Sequence, residues 1–254
     1  MTNPLFLGDP AAVRSATAGG VFELRGEEAR HAATVRRMEP GEAVDIADGA
    51  GFRLSGTVLD AAPALLAVAV GSAVQEDPPR HRLVLVQALA KGDRDEQAIE
   101  AATELGVDGV VPWQSERCIV RWRGEKADKG RQKWGTVVRG AAKQSRRAFV
   151  PSVYPLMNST QLTTWIPSVD RVFVLSEDAV DSLADRIAAS GAGAPASGGT
   201  TAVVVGPEGG ISGSEIEGFV GAGALTARLG PHVLRSSSAG PAALVLLNQL
   251  LGRW

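Results

Sequence analysis

Cysteine is nearly absent. Of 254 residues only Cys118 carries a thiol, which excludes an intrachain disulfide framework. Histidine is scarce as well: His31, His81 and His232 stand far apart, so no spacing suggests a zinc site and no metal is expected. No stretch approaches the roughly 20 uninterrupted apolar residues of a membrane span. The first ten residues, MTNPLFLGDP, lack the basic-then-apolar order of a secretory signal. A cytoplasmic protein without membrane contact is the expectation. Two nucleotide signatures are missing too. There is no GxxxxGK[ST] for a P-loop, and no GxGxxG after an early strand with a following acidic residue.

What is there is enough for a core, since 44% of the residues are hydrophobic. The formal net charge of -2 is unevenly spread. Between Arg117 and Arg147 lie eleven Lys or Arg against two acids, Glu125 and Asp128. Such a block is either the footprint of phosphate contacts or the solvated face of a helix.

Up to about Gly71 the chain reads as short β segments: VFEL at Val21, AVDIAD at Ala43, FRLSGTVLD at Phe52 and LLAVAV at Leu65. A small barrel fits them. Asp48-Gly49-Ala50-Gly51 supplies a tight hairpin turn, because glycine takes positive φ without a Cβ clash. A short helix is expected over 27–37, with Ala29, Ala33 and Val35 inward and Arg30, Arg36 and Arg37 outward. The segment GSAVQEDPPR, Gly71–Arg80, contains a Pro-Pro pair and reads as a linker. The domains are accordingly set at 1–72 and 82–254, with 73–81 between.

Beyond the linker the pattern changes. LVLVQAL at Leu83 is followed by a helix from Asp93 to Leu105, stopped by Gly106, and then by GVVPW at Gly109. Val172 to Leu175 and Ala202 to Val205 are apolar without alternation, as strands of a helix-covered parallel sheet are. The second domain is therefore α/β. The stretch SGAGAPASGGT, Ser190–Thr200, reads as a flexible loop.

The strongest local signal is Val205-Gly206-Pro207-Glu208-Gly209-Gly210-Ile211-Ser212, where a buried strand enters a glycine turn. Ser212 and Glu215 then form a capping box that opens a helix. Free amides and absent side chains let a polar ligand approach such a turn closely; a plain strand-to-helix connection is the alternative. Leu175-Ser176-Glu177 and Leu229 through Ala239 also read as strand-end loops, the latter before an apolar closing helix. Three parallel strands would present loops on one edge, where open α/β sheets bind ligands.

Six ordered elements stand along the chain. They are His31-Ala32-Ala33-Thr34-Val35-Arg36-Arg37 with Pro40-Gly41, Ala90-Lys91-Gly92-Asp93-Arg94 with Glu104 to Val107, and Ser115-Glu116-Arg117. Ala141 to Arg147, Gly206 to Gly210, and Leu229-Gly230 with Val233-Leu234-Arg235 complete the set. In these elements the chain resembles the RsmE-type 16S ribosomal RNA (uridine-N3) methyltransferases of the SPOUT class. The resemblance implies a PUA-like β-barrel, a SPOUT domain with a trefoil knot, a homodimer, and S-adenosylmethionine as cofactor. The implied cofactor residues are Leu175, Ser176, Glu177, Gly206, Pro207, Glu208, Gly209, Gly210, Leu229, Gly230, Val233, Leu234, Ser236 and Ser238. The implied substrate is 16S rRNA or the small ribosomal subunit. Where many relatives read Leu-Arg-Thr-Glu-Thr-Ala, this chain has Leu234-Arg235-Ser236-Ser237-Ser238-Ala239 and lacks the carboxylate.

Transfer to a uridine nitrogen needs an in-line approach and loss of the N3 proton. Arg235 is the candidate cation for the resulting imide anion, with a surface or dimer salt bridge as its other reading. Glu208 either orients the base or accepts a proton, or is simply a helix-start carboxylate on free amides. Cys118, beside Ile119, reads as a buried residue and not as a carbon-5 nucleophile. Arg36, Arg37, Arg117, Arg121, Arg123, Lys143, Arg146 and Arg147 are the candidate RNA contacts. A non-catalytic RNA-binding protein of the same fold, or a methyltransferase of the class acting on transfer RNA, are the competing readings.

Overall fold

The computed structural model describes residues 3–189 and 198–254. Two compact units emerge, one of residues 1–78 with 142–150, the other of 79–141 with 151–254.

The first unit contains β1 (Leu5–Leu7), α1 (Pro10–Ser15), β2 (Val21–Arg25), α2 (Gly26–Arg30), β3 (Ala43–Ala47), β4 (Phe52–Ala62) and β5 (Leu65–Gln75). They form one sheet in the order β1-β3-β4-β5-β2, antiparallel except for β1 on β3. Among the described residues no strand pairing joins β1 to β2, so the sheet is an open five-stranded one where a barrel was expected. β2 alternates exposed and buried along VFELR. Its inward Phe22 and Leu24 meet Phe6, Val44, Ile46, Leu54 and Leu66 in the core. The predicted turn at 48–51 is present: Gly49 and Gly51 take φ of 82° and 100°, and Asp48 Oδ1 accepts from the amides of Ala50 and Phe52.

Two expectations fail here. The helix over 27–37 is a single α turn, α2, that widens into a π-helical turn at His31–Val35. Ala29 and Ala32, three apart as on an ordinary helix, are buried and Ala33 is half-buried; the i→i+5 turn advances less per residue than the 3.6-residue helix, and Val35 is left exposed. Likewise β5 runs on to Gln75, so Gly71–Gln75 are strand paired with β4 and not linker.

The second unit comprises β6 (His81–Ala88), α3 (Arg94–Glu104), β7 (Gly109–Gln114), α4 (Glu125–Gln144), β8 (Ser152–Val153), β9 (Met157–Asn158), α5 (Ser159–Trp165), β10 (Arg171–Leu175), α6 (Leu183–Ala189), β11 (Gly199–Val205), α7 (Gly213–Gly221), β12 (Leu225–Ala227) and α8 (Ser236–Leu250); the last three residues of α4 fall within the first unit. Its strands run β12-β10-β11-β6-β7-β8, with β9 also on β7, and every pair is parallel. β6, β7 and β11 are buried almost continuously, as a sheet covered on both faces requires. The expected loop over 190–200 lies outside the described residues at 190–197, and Gly199 and Thr200 begin β11. α8 starts at Ser236, three residues before the apolar run, so the serines form its first turn and are not loop. Among the described residues, no helix is long and apolar enough to cross a membrane.

Candidate active site at the ends of three parallel strands

β12, β10 and β11 are neighbours in one sheet. Their carboxyl ends therefore emerge side by side, and the loops that follow them are stitched together. Ser176 N donates to Ala227 O at 3.0 Å, Leu183 N to Arg228 O at 2.9 Å, and Arg228 N to Asp181 O at 3.0 Å. The loops enclose a cavity of about 700 Å³.

The glycine turn forms one wall. Gly210 N donates to Pro207 O at 2.9 Å, and Gly210 takes φ of 71°, so a side chain there would be strained. A Cβ on Gly206 would lie 2.7 Å from Ile211 Cγ1. Behind the turn Ser212 caps α7 as expected: Ser212 Oγ accepts from Glu215 N, and Glu215 Oε2 from Ser212 N. Glu215 does more than its capping role suggests. It is buried, and its Oε1 accepts from Glu116 N at 2.8 Å and Ser159 Oγ at 2.5 Å. One carboxylate thereby locks the turn to the loop after β7 and to the start of α5.

Of the fourteen cofactor candidates, Leu175, Ser176, Glu177, Gly206, Pro207, Glu208, Gly209, Gly210, Leu229, Gly230, Val233, Leu234 and Ser236 all line the cavity, as does Arg235. Ser238 does not: it sits exposed in the first turn of α8. Sequence reasoning did not assign Arg94, Asp178, Ile211, Ile216, Ala227 and Arg228, which also form the wall, and it included His232 and Ala239 only as parts of the Leu229–Ala239 loop. Arg94 lay inside a quoted motif, and Arg228 and His232 flank Leu229-Gly230-Pro231, so proximity in sequence was the available signal.

Glu208 Oε1 accepts from Arg94 Nη1 at 2.9 Å and from Lys91 N at 3.4 Å. Partial burial works to raise its pKa, but the turn's own amide, Arg94 and the Lys91 amide outweigh it and hold the carboxyl below its ordinary value. A paired, acidified carboxylate is a weak proton acceptor, so the geometry favours a structural anion over a general base. Arg235, by contrast, has no carboxylate partner among the described residues, and its side chain makes no cap bond to α8. Cys118 is buried, donates to Leu89 O at 3.2 Å, and burial raises its pKa. No group of three or more His, Cys, Asp or Glu side chains converges among the described residues.

The basic block divides. Arg117 joins the cavity wall, donating to Gly209 O at 3.0 Å. Arg121 and Arg123 are exposed, although Arg121 Nη2 donates to Glu116 O at 2.7 Å. Along α4, Trp134, Val138, Ala141 and Ala142 are buried while Lys129, Arg131, Lys133 and Arg139 face outward. Within the first unit Lys143 is half-buried against Glu28 at 2.7 Å, so its charge is already matched. Arg146 and Arg147 are half-buried, whereas Arg36 and Arg37 are exposed, Arg37 with a φ of 53°. Trp113 and Trp134 are core residues.

Two family models match the chain: an RNA methyltransferase domain over residues 76–248 and an RNA methyltransferase PUA domain over 24–64. The chain is similar to the ribosomal RNA small subunit methyltransferase E of Mycobacterium tuberculosis, at 41% identity over 240 residues, covering 93% of this chain and 89% of the relative. The Bacillus subtilis protein of the same name is 30% identical over 221 residues, covering 86% of each. Among solved structures, a ribosomal RNA small subunit methyltransferase E from Neisseria gonorrhoeae bound to S-adenosyl methionine superposes with a TM-score of 0.83 at 26% identity, covering 98% of both chains.

Proposed function

Because the chain belongs to the RNA methyltransferase family, we propose that it transfers a methyl group from S-adenosylmethionine to N3 of a uridine in 16S rRNA of the small ribosomal subunit. The observation that carries this reading is the convergence of three strand-end loops and a glycine turn on one cavity of about 700 Å³. The cavity suits that cofactor. It is wide enough for a nucleoside with an amino-acid tail, Gly209 and Gly210 leave main chain open on one wall, and Ser236 Oγ is a buried hydroxyl without a hydrogen-bond partner.

When bound, S-adenosylmethionine supplies an electrophilic methyl carbon on a sulfonium, whose departing bond pair stays on sulfur. The residues of the chain do the rest. Leu175 to Glu177, Gly206 to Gly210 and Leu229 to Leu234 would hold the donor in one orientation, which is where positioning catalysis comes from. The uracil N3–H gives its proton to solvent water, and the Arg235 guanidinium stabilises the imide anion left behind. The N3 lone pair of that anion then forms the new bond to carbon.

We also assign to the chain a knotted carboxyl end and a homodimer in the ribosome's own compartment. Exposed Val233 and Leu234 beside the cavity, with Val245 on α8, supply an apolar surface that a second copy would cover. The decisive experiment is nucleoside mass mapping of rRNA from a deletion strain: 3-methyluridine is expected to vanish from 16S rRNA. An unchanged level, or a loss confined to transfer RNA, overturns the assignment.

A further inference from the structure

We propose that Trp122 is a stacking platform for an unpaired RNA base, with Arg121 and Arg123 on either side of it as phosphate contacts. The inference rests on the reading of the chain as a methyltransferase acting on 16S rRNA. It adds to that reading a side chain that takes the face of a base and not its charge.

Trp122 stands in the segment between β7 and α4. β7 is parallel to its neighbours, so this segment leaves the sheet on the same edge as the loops around the cavity. Arg117, near the start of the segment, belongs to the cavity wall and donates to Gly209 O. Trp122 follows Arg117 by five residues, which span at most about 18 Å even when fully extended. A few nucleotides of single-stranded RNA cover that distance.

The indole is held in one pose. Trp122 N donates to Gln114 Oε1 at 2.9 Å, and the ring meets the buried Trp134 at 5.7 Å between centroids with the planes 79° apart. A Cβ on Gly130 would lie 2.5 to 2.6 Å from Trp122 Cδ2, Cε2 and Cζ2. Cδ2 and Cε2 are the atoms shared by the two rings, and they are approached only from above the ring plane. The main chain of α4 therefore lies against one face of the indole, which accounts for a glycine inside a helix, where it is unfavourable. Trp113 and Trp134 are fully enclosed, whereas Trp122 is only half-buried. Gly130 and Trp134 both belong to α4, so the surface that Trp122 keeps in solvent lies on the side away from that helix.

The neighbours select the ligand. Arg121 and Arg123 are exposed, and neither has a carboxylate partner among the described residues. Arg121 Nη2 donates to Glu116 O, a bond that orients the guanidinium without neutralising it. An aromatic ring between two unneutralised cations matches a base between two phosphates. Because the ring is already fixed, stacking on it costs little side-chain entropy.

Filter binding of 16S rRNA over a range of salt concentrations, with the parent, Trp122→Leu and Trp122→Phe, tests the platform. Leucine fills apolar space against Gly130 and Trp134 but has no π face. Trp122→Leu is expected to lose about tenfold in RNA affinity at every salt concentration, with an unchanged salt slope, because stacking releases no counterion. Its S-adenosylmethionine affinity stays at the parent value, and Trp122→Phe recovers most of the lost RNA affinity. Fluorescence covers the case in which Trp122→Leu does not fold: saturating RNA is expected to quench the parent more than Trp122→Phe. Equal quenching of those two, parent-like RNA binding by Trp122→Leu, or an altered salt slope in that variant overturns the platform. A Trp122→Leu chain whose loss of RNA affinity accompanies a change in sedimentation also overturns it, since a second copy of the chain would then cover the ring. A parent that binds neither 16S rRNA nor S-adenosylmethionine refutes the methyltransferase reading itself, and the platform with it.

Discussion

Arg94 Nη1 lies 2.9 Å from Glu208 Oε1, joining the first residue of α3 to the glycine turn across more than a hundred residues of sequence. The side chains are 44% and 33% exposed. Solvent therefore screens the pair, and its contribution to stability is about 0–1 kcal/mol. Its main effect is to set the direction in which Glu208 faces the cavity.

Glu208→Gln keeps an acceptor for Arg94 but removes the charge. It is expected to weaken S-adenosylmethionine binding by no more than about fivefold and to leave the acidic limb of the pH–rate profile in place. The folded-state pKa is depressed, so whatever stability the carboxylate contributes is complete above its ordinary 4.5 and disappears as pH falls through the lower folded value. Disappearance of the acidic limb in the variant would make Glu208 a proton acceptor after all.

Arg235→Ala removes the cation assigned to the imide anion. Its single-turnover rate is expected to drop about 10²–10³-fold, with cofactor affinity nearly unchanged by calorimetry. A variant that loses binding and rate in proportion would show that Arg235 holds the donor instead.

Cys118→Ala should retain full methylation activity, because a buried thiol with a raised pKa is no nucleophile. Loss of its hydrogen bonds to Leu89 O and Ser115 Oγ is expected to lower stability by about 1 kcal/mol, read as a fall in Tm. Trapping of a covalent adduct between Cys118 and RNA would contradict this account.

Exposed arginines and the paired lysine should separate in filter-binding titrations against salt. Arg36→Ala, Arg37→Ala, Arg121→Ala and Arg123→Ala are each expected to flatten the slope of log affinity against log salt by about 0.7–0.9. Lys143→Ala leaves Glu28 half-buried without its cation. The expected readout there is roughly 1 kcal/mol of lost stability with little change in slope.

Asp95 is buried in the first turn of α3, and burial pushes its pKa up to about 6 against amide hydrogen bonds that work the other way. A raised folded pKa means that stability from this group is complete below its ordinary 3.8 and is lost as pH rises through about 6. Melting curves of Asp95→Asn and the parent should accordingly shift in favour of the variant between pH 4 and pH 7, by at most on the order of 3 kcal/mol. A constant difference across that range would show that Asp95 is ionised throughout.

The strands that frame the cavity were legible because unbroken apolar runs such as Val172 to Leu175 and Ala202 to Val205 fit only a sheet covered on both faces. Ser212 with Glu215 announced the start of α7 for the equally local reason that a capping box closes within four residues. Val35 was misplaced because hydrophobic periodicity assumes 3.6 residues per turn, and nothing in HAATV signals a π turn. The serines at 236–238 were read as loop since serine has no strong helical bias of its own, and the apolar run that does begins later.

By itself the sequence determined what depends on neighbours along the chain: the β-then-α/β order, the glycine turn, the capped helix and the block of positive charge. Only the tertiary structure decided which of those charges are free. Lys143 meets Glu28, Arg94 meets Glu208 and Arg117 meets Gly209, while Arg235 meets no carboxylate among the described residues. Those partners lie from about ninety to more than a hundred residues away, and a pairing at that range is set by strand order and register, quantities that no local pattern of side chains encodes.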